Sequence, residues 1–469
     1  YQGISFTFNG KDYTQYNNEV LQVLQGRGGY LTHTVDSSYS TVVSYRDSNG
    51  SEIAQPITIG VYSAIIEVSK DGKTRGTVTL PFEIIEGDFG KIQGGTGKWG
   101  SVTNPYVISN ETHLKNLSAI VNGRDALNSI VGSNNNSVTA EDVVATDKTY
   151  KDCYFVVAAD LGTGDAPIAF VPIGKDNTHY FAGTIFGGND SDANNRTMRT
   201  INLNIQQSGV SNVGLFGYVK GATISHMTTA GTIVGGAAVG GLVGYADGVT
   251  ISNCRNNASI SGKSFIGGIV GKATNATINA SHNTNTTQGS STNVGGILGG
   301  SDTADNNILI TSCYNTAKIS GIDNVGGITG RFAKNGDKDV KISNCYNLGE
   351  VFGTADSIGG IVGFSENGCV VEYCYNKAKI TGSYALGGIV GSIRNGGSIS
   401  ILYCYADFTD EQKQLNATNP NSATGGVAGG IVSGCFAGTN TANITVENSW
   451  AIYNYSSVKY TDCKKQFDC

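Results

Sequence analysis

Between residues 213 and 452 the apolar positions come in short alternating runs. Ile and Val stand singly between polar or small neighbours, as in Thr250-Ile251-Ser252, Ala258-Ser259-Ile260 and Ala317-Lys318-Ile319, and Gly and Asn interrupt the runs every few residues. Alternation with a period of two predicts strands, and no run in this region has the length or periodicity of a helix. The runs also recur. A Gly-Gly-Ile/Leu-x-Gly phrase occupies 240–244, 267–271, 295–299, 326–330, 359–363 and 387–391, with a shorter relative at 214–217 and a decayed one at 425–430. An Ile-x-x-Cys-Tyr-Asn phrase follows, centred on Cys254, Cys313, Cys345, Cys374 and Cys404, while Met227 and Ser281 hold the Cys place in two copies. From Met227 the steps are 27, 27, 32, 32, 29 and 30 residues. A period near thirty, cut into three short strands, predicts a parallel β-helix of about three strands per coil, taken here as right-handed.

Stacked coils turn repeat positions into rows. Asn256, Asn283, Asn315, Asn347 and Asn376 form one row, whose amides can bond from coil to coil and satisfy buried carbonyls. Cys254, Cys313, Cys345, Cys374 and Cys404 form a second. Buried thiols acting as small apolar fillers are the favoured reading of it, with bridges as the alternative. Alternation then points Arg255, His282, Tyr314, Tyr346, Tyr375, Tyr405 and Trp450 outward. Five aromatics, Tyr314, Tyr346, Tyr375, Tyr405 and Trp450, would make an amphipathic stripe able to take a sugar or a protein partner; the favoured reading is that the rings stack on one another or under a neighbouring loop. Ser259, Lys318, Glu350 and Lys379 form a solvated row. Cys369/Cys374 and Cys463/Cys469 are candidate local bridges.

Residues 1–88 read differently. Alternating runs at 4–8, 20–24, 39–45, 61–68 and 76–85, parted by polar turns, predict a small β-sandwich. The stretch 58–68 resembles a strand of bacterial immunoglobulin-like domains. A Gly-rich linker at 89–105 follows. Residues 106–212 are read as a capping region with a short helix, in which Asn110 caps a face made by Leu114, Leu117, Ile120 and Val121. Such a helix would cover an open solenoid end, a hazardous sheet edge if left bare. Residues 213–452 are the repeats and 453–469 a cap or tail.

Composition narrows the function classes. Charged residues are 14%, Gly is 66 of 469 and net charge is −6 with no basic cluster, which argues against nucleic-acid partners and polybasic membrane attachment. No apolar run reaches membrane-spanning length, and the first residues are not a signal peptide, so if the protein is anchored its anchor is expected outside this sequence. The expected state is a monomer.

The segment Asn104-Pro105-Tyr106-Val107-Ile108-Ser109 and the Leu-rich helix after it resemble GLUG-motif proteins. So do Val171-Pro172-Ile173-Gly174, the 181–188 stretch and the repeats beginning with Val213-Gly214-Leu215-Phe216-Gly217. The likeness covers about 94–450; the 189–195 insertion departs from it. It implies an all-β chain with a GLUG β-solenoid, of a kind found in secreted and surface proteins of bacteria, many described as adhesins and some as non-catalytic parts of peptidases. It carries no catalytic residues.

Enzyme chemistry has little to stand on. Asp323 and Asp356 lie one coil apart without a basic partner in register, and the five His form no H-E-x-x-H. No cofactor and no metal ligand set is expected; the oxygen-rich 189–195 loop lacks EF-hand spacing. The expected role is adhesion at a bacterial cell surface or outside the cell, with host or matrix glycans or proteins as partners. The alternatives are a passive stalk of a larger protein and, less favoured, a polysaccharide-active enzyme.

Overall fold

The computed structural model describes residues 4–8, 11–12, 21–24, 31–35, 37–56, 60–85, 89–90, 96–124, 147–188, 197–301, 307–333, 339–409, 415–417, 428–436 and 444–453. The chain divides into two compact units, Tyr1–Val107 with Arg124–Lys148, and Ile108–Gly123 with Thr149–Cys469.

In the first unit Gly60–Lys70 pairs antiparallel with both Ser40–Arg46 and Lys73–Ile85. The hairpin turns at Asp71 and Gly72, both at positive φ, as a tight two-residue turn requires. Glu52–Ile53 lies at one edge of this sheet and Leu21–Leu24, parallel to Lys73–Ile85, at the other. A second, antiparallel sheet has the order Lys11–Asp12, Ile4–Phe8, Leu31–Val35. Alternate residues of the long hairpin, Ala64, Ile66, Val68, Leu80, Phe82 and Ile84, are buried together as the core. Beyond it, Trp99 and Phe89 both pack on the ring of Tyr106, at 5.0 and 5.2 Å.

The second unit is a parallel β-solenoid of about eight turns built from three sheets, as the repeats predict. One coil illustrates the path. Asp323–Gly326 lies in the third sheet, Thr329–Ala333 and Val340–Ser343 in the first, Tyr346–Asn347 and Val351–Gly353 in the second, and Ile358–Gly359 returns to the third one level on. Neighbouring coils pair in parallel and in repeat register, for example Ile310 with Ile342, Val325 with Ile358, and Tyr346 with Tyr375. Apolar repeat positions therefore stack. Ile251, Ile278, Ile310, Ile342, Val371 and Ile401 form one fully buried column. Burial of each such side chain is worth about 1.5–3 kcal/mol.

Two corners explain the two sequence phrases. At the Gly-Gly corner a Cβ on Gly326 would lie 1.9 Å from the Thr329 carbonyl, on Gly327 2.1 Å from the Gly360 carbonyl, and on Gly330 2.4 Å from the Val294 nitrogen. The three glycines are required by close backbone approach, within the coil and between coils. At the other corner the residue just before the Cys takes the left-handed conformation: His226, Asn253, Ala280, Ser312, Asn344, Tyr373, Tyr403 and Asn448 have φ between 46 and 56°. This bend lets the chain leave the first sheet and enter the second.

Helix α1 (Glu111–Val121) begins where the capping signal places it, with the Asn110 side chain accepting the His113 amide at 2.8 Å. Its buried face holds Leu114, Leu117, Ile120 and Val121. Ser118 Oγ donates to the Val171 carbonyl at 2.6 Å and Asn122 Nδ2 to the Pro172 carbonyl at 2.8 Å, which docks the helix on the first coil.

Candidate binding face along the second sheet

The start of the second sheet places three repeat positions side by side. Inside, the Asn row forms a continuous amide ladder. Asn256 Nδ2 donates to Asn283 Oδ1 at 2.7 Å, Asn283 to Asn315 at 2.9 Å, Asn315 to Asn347 at 2.8 Å and Asn347 to Asn376 at 2.8 Å. All five are fully buried. The spare amide hydrogens of Asn256, Asn315, Asn347 and Asn376 go to the carbonyl two residues on, at 2.8–3.0 Å. Thr229 starts the ladder by donating to Asn256 at 3.1 Å, and Ala406 ends it in the coil after Asn376. The second glycine of each Gly-Gly pair packs on this ladder: a Cβ on Gly327 would sit 2.4 Å from Asn347 Cγ.

The Cys row is buried as expected, but it does more than fill space. Cys313 Sγ donates to the Thr311 carbonyl at 3.2 Å and accepts the Ser281 amide at 3.5 Å; Cys345 Sγ does the same with Ser343 at 3.2 Å and the Cys313 amide at 3.4 Å. Each sulfur thus ties the left-handed corner to the coil before it. Ser281 Oγ makes the same two bonds, to the Asn279 carbonyl at 2.8 Å and from the Cys254 amide at 3.1 Å, which explains why Ser can take the Cys place. Cys254, Cys313, Cys345, Cys374 and Cys404 are free thiols. Burial pushes the Cys254 thiol up to about 12 and raises those of Cys313 and Cys374 as well. The expected Cys369–Cys374 bridge is not formed. Cys374 keeps its thiol in the corner row, donating to the Glu372 carbonyl at 3.1 Å, and Cys369 Sγ accepts from Ser365 Oγ at 3.5 Å. The Cys463/Cys469 pair and the 189–195 loop lie outside the described residues.

Outside, the aromatic row is continuous over six coils. Ring centroids are 4.3 Å apart for His282–Tyr314, 4.9 Å for Tyr314–Tyr346, 5.0 Å for Tyr346–Tyr375 and Tyr375–Tyr405, and 6.0 Å for Tyr405–Trp450. Interplanar angles run from 3 to 11°. Parallel rings at this spacing turn their faces to one another. The four tyrosines therefore present ring edges and phenol hydroxyls to solvent, rather than a flat apolar sheet. They are half-buried, and Trp450 is exposed. Burial, then the neighbouring tyrosines, raise the phenol of Tyr346; burial and Tyr405 raise that of Tyr375. Lys377 Nζ lies 5.9 and 5.7 Å from the Tyr375 and Tyr405 rings and pairs with Asp407 at 3.7 Å. At the other end Arg255 Nε donates to His282 Nε2, and burial and then this cation lower the imidazole to about 4.

Most of the remaining row and one of the two acids are engaged within the fold. Lys318 pairs with Glu350 at 3.0 Å and Ser259 Oγ meets Thr286 Oγ1 at 3.1 Å; Lys379 continues the row, its carbonyl accepting the Val351 amide. Asp323 Oδ1 accepts the Asp356 amide at 2.8 Å, so these two acids make a coil-to-coil cap, not a facing carboxylate pair. Among the described residues no group of three or more His, Cys, Asp or Glu could hold a metal ion, and no helix is long and apolar enough to cross a membrane.

Sequence reasoning missed one exposed aromatic pair. Tyr373 and Tyr403 precede the Cys in two consecutive coils and stack at 5.0 Å and 5°, both exposed. The available signal was the Asn at the same place in three other coils, Asn253, Asn344 and Asn448, since Asn is favoured at positive φ and Tyr is not.

A family model described as the GLUG motif matches residues 354–381. That segment is one full coil, from the turn after Val351–Gly353 into Ile380–Gly382, and contains both the Gly-Gly phrase and Cys374-Tyr375-Asn376. Comparison with curated proteins and with solved structures finds no match. The match and the three parallel sheets together support a GLUG-repeat β-helix.

Proposed function

We propose that this chain is a secreted or surface-displayed adhesion-type protein that holds host or matrix glycans or proteins along the edge of its second sheet. The observation that carries the reading is the unbroken row from His282 to Trp450, which repeats one aromatic group per coil along a rigid scaffold. A solenoid fixes the spacing of its side chains through its backbone ladders, so a repeating surface costs little ordering entropy on binding. Several weak contacts on one rigid body reinforce one another through effective concentration. The ladder supplies hydroxyls and ring edges, a hydrogen-bonding surface with an apolar base, and the resemblance to surface proteins supports display outside the cell.

A second reading is favoured by one specific feature. The tyrosine faces are already satisfied by one another, as they would be in a passive stalk that only projects other domains. Catalysis is the least favoured, because of the two acids one coil apart the Asp323 carboxylate is engaged as a cap on the Asp356 amide. The deciding experiment presents the purified chain to an array of host and microbial glycans and matrix proteins. Saturable binding to any member supports adhesion; silence across the array supports the stalk.

A further inference from the structure

The left-handed corner row is occupied by His226, Asn253, Ala280, Ser312, Asn344 and Asn448 in six coils, and by Tyr373 and Tyr403 in the other two. Asn at three of these places follows backbone preference. A bulky aromatic at φ 51 and 54° opposes it, and such outliers persist where something other than local stability holds them. Neither tyrosine gains burial in return: 53% of Tyr373 and 49% of Tyr403 remain exposed. They stack on each other, and the row continues to Asn344 on one side and Asn448 on the other. Among the described residues no further ring lies against either one. On their outer sides they meet the shorter side-chain positions of Asn344 and Asn448 in place of a ring, which leaves the distal part of each outer face to a ligand, whereas the interior tyrosines of the long ladder have a ring on both sides.

Charge around the pair is balanced. Lys341 meets Glu372 at 2.8 Å and Lys377 meets Asp407 at 3.7 Å, so the cations at hand are already neutralised across coils. Exposed Glu447, next to Asn448, adds a negative charge. This setting disfavours an acidic polymer and suits an uncharged one. Two positions after each platform residue, Tyr375 and Tyr405 offer hydroxyls from the adjoining ladder.

We propose that Tyr373 and Tyr403 form a sugar-stacking platform for a neutral oligosaccharide. A pyranose ring lies on the open distal part of an outer ring face, and the ladder hydroxyls bond the sugar hydroxyls. This rests on the adhesion reading above and adds to it the place and the ligand class.

The test replaces both residues by Asn, the residue three other coils carry there. Titration calorimetry with cellohexaose, chitohexaose and laminarihexaose, and with a hyaluronan hexasaccharide as the acidic counterpart, is run beside thermal melting. The expected result is binding of at least one neutral hexasaccharide by the native chain. In the Tyr373→Asn/Tyr403→Asn variant it weakens by about threefold to tenfold, as loss of one ring-stacking contact implies, while the melting temperature is unchanged or higher. A lower melting temperature with affinity intact would make the pair structural and overturn the platform. Binding only of hyaluronan, or of no sugar, also overturns it. The adhesion reading fails separately, only if the array of glycans and matrix proteins is silent as well.

Discussion

Replacing Asn347 by Ala removes one rung from the buried amide ladder. Four hydrogen bonds end on that side chain. Its Nδ2 donates to the Gly349 carbonyl at 2.9 Å and to Asn376 Oδ1 at 2.8 Å. Its Oδ1 accepts from Asn315 Nδ2 at 2.8 Å and from the Gly349 amide at 3.3 Å. At a net value of about 1 kcal/mol each, the direct loss is about 4 kcal/mol. Water has no route to the groups left behind, since Asn315 and Asn376 are themselves fully buried. Urea unfolding followed by circular dichroism measures the change, and a solenoid with nearest-neighbour stability should lose cooperativity at this level first. A double-mutant cycle with Asn376→Ala isolates the shared bond and should return a coupling of about 0.5–3 kcal/mol. A loss below about 1 kcal/mol for Asn347→Ala, or strict additivity in the cycle, would refute the ladder as a source of stability.

Three further outcomes are expected. Gly327→Ala should prevent folding of its coil, because the added Cβ would lie 2.1 Å from the Gly360 carbonyl, whereas Gly50→Ala, at φ +82° in open space, should cost only about 1–2 kcal/mol; soluble yield and melting temperature compare them. Cys345→Ser should be tolerated, because Ser281 already makes the same bonds, whereas Cys345→Val should lose about 1–3 kcal/mol by stranding the Cys313 amide; in the native chain Cys254 should resist thiol reagents until the protein unfolds. His282, lowered by burial and Arg255 to about 4, favours its neutral form when folded, so its contribution is full above the unfolded value of about 6.5 and declines as pH falls from there toward 4. Imidazole NMR should show the low value and Arg255→Ala should raise it; an ordinary value in the native chain would contradict the stacked, cation-flanked geometry.

Repeats made most of the solenoid legible. The spacing of Cys254, Cys313, Cys345, Cys374 and Cys404 sets the coil length, and alternation alone separates inward Asn from outward Tyr. Three things were not legible. The work of the sulfurs depends on backbone groups at a corner whose φ sign is invisible in sequence. The direction of the tyrosine faces depends on coil-to-coil registration in three dimensions, which decides between the two readings of the amphipathic stripe: the rings stack on one another and leave a lane of edges and hydroxyls. The Tyr373–Tyr403 pair was hidden because two substitutions at an Asn place look like ordinary drift until the corner is known to be left-handed. At Asp323 the reverse occurred: a candidate acid is consumed by the Asp356 amide, a backbone partner that no residue pattern displays.

The most direct measurement compares the native chain with the Tyr314→Ala/Tyr346→Ala/Tyr375→Ala variant on the array ligand that binds best, with circular dichroism showing that both remain folded. Loss of about tenfold or more in affinity is the predicted result and assigns adhesion to this edge of the solenoid. Unchanged affinity in a folded variant would contradict it and return the ladder to a purely structural role.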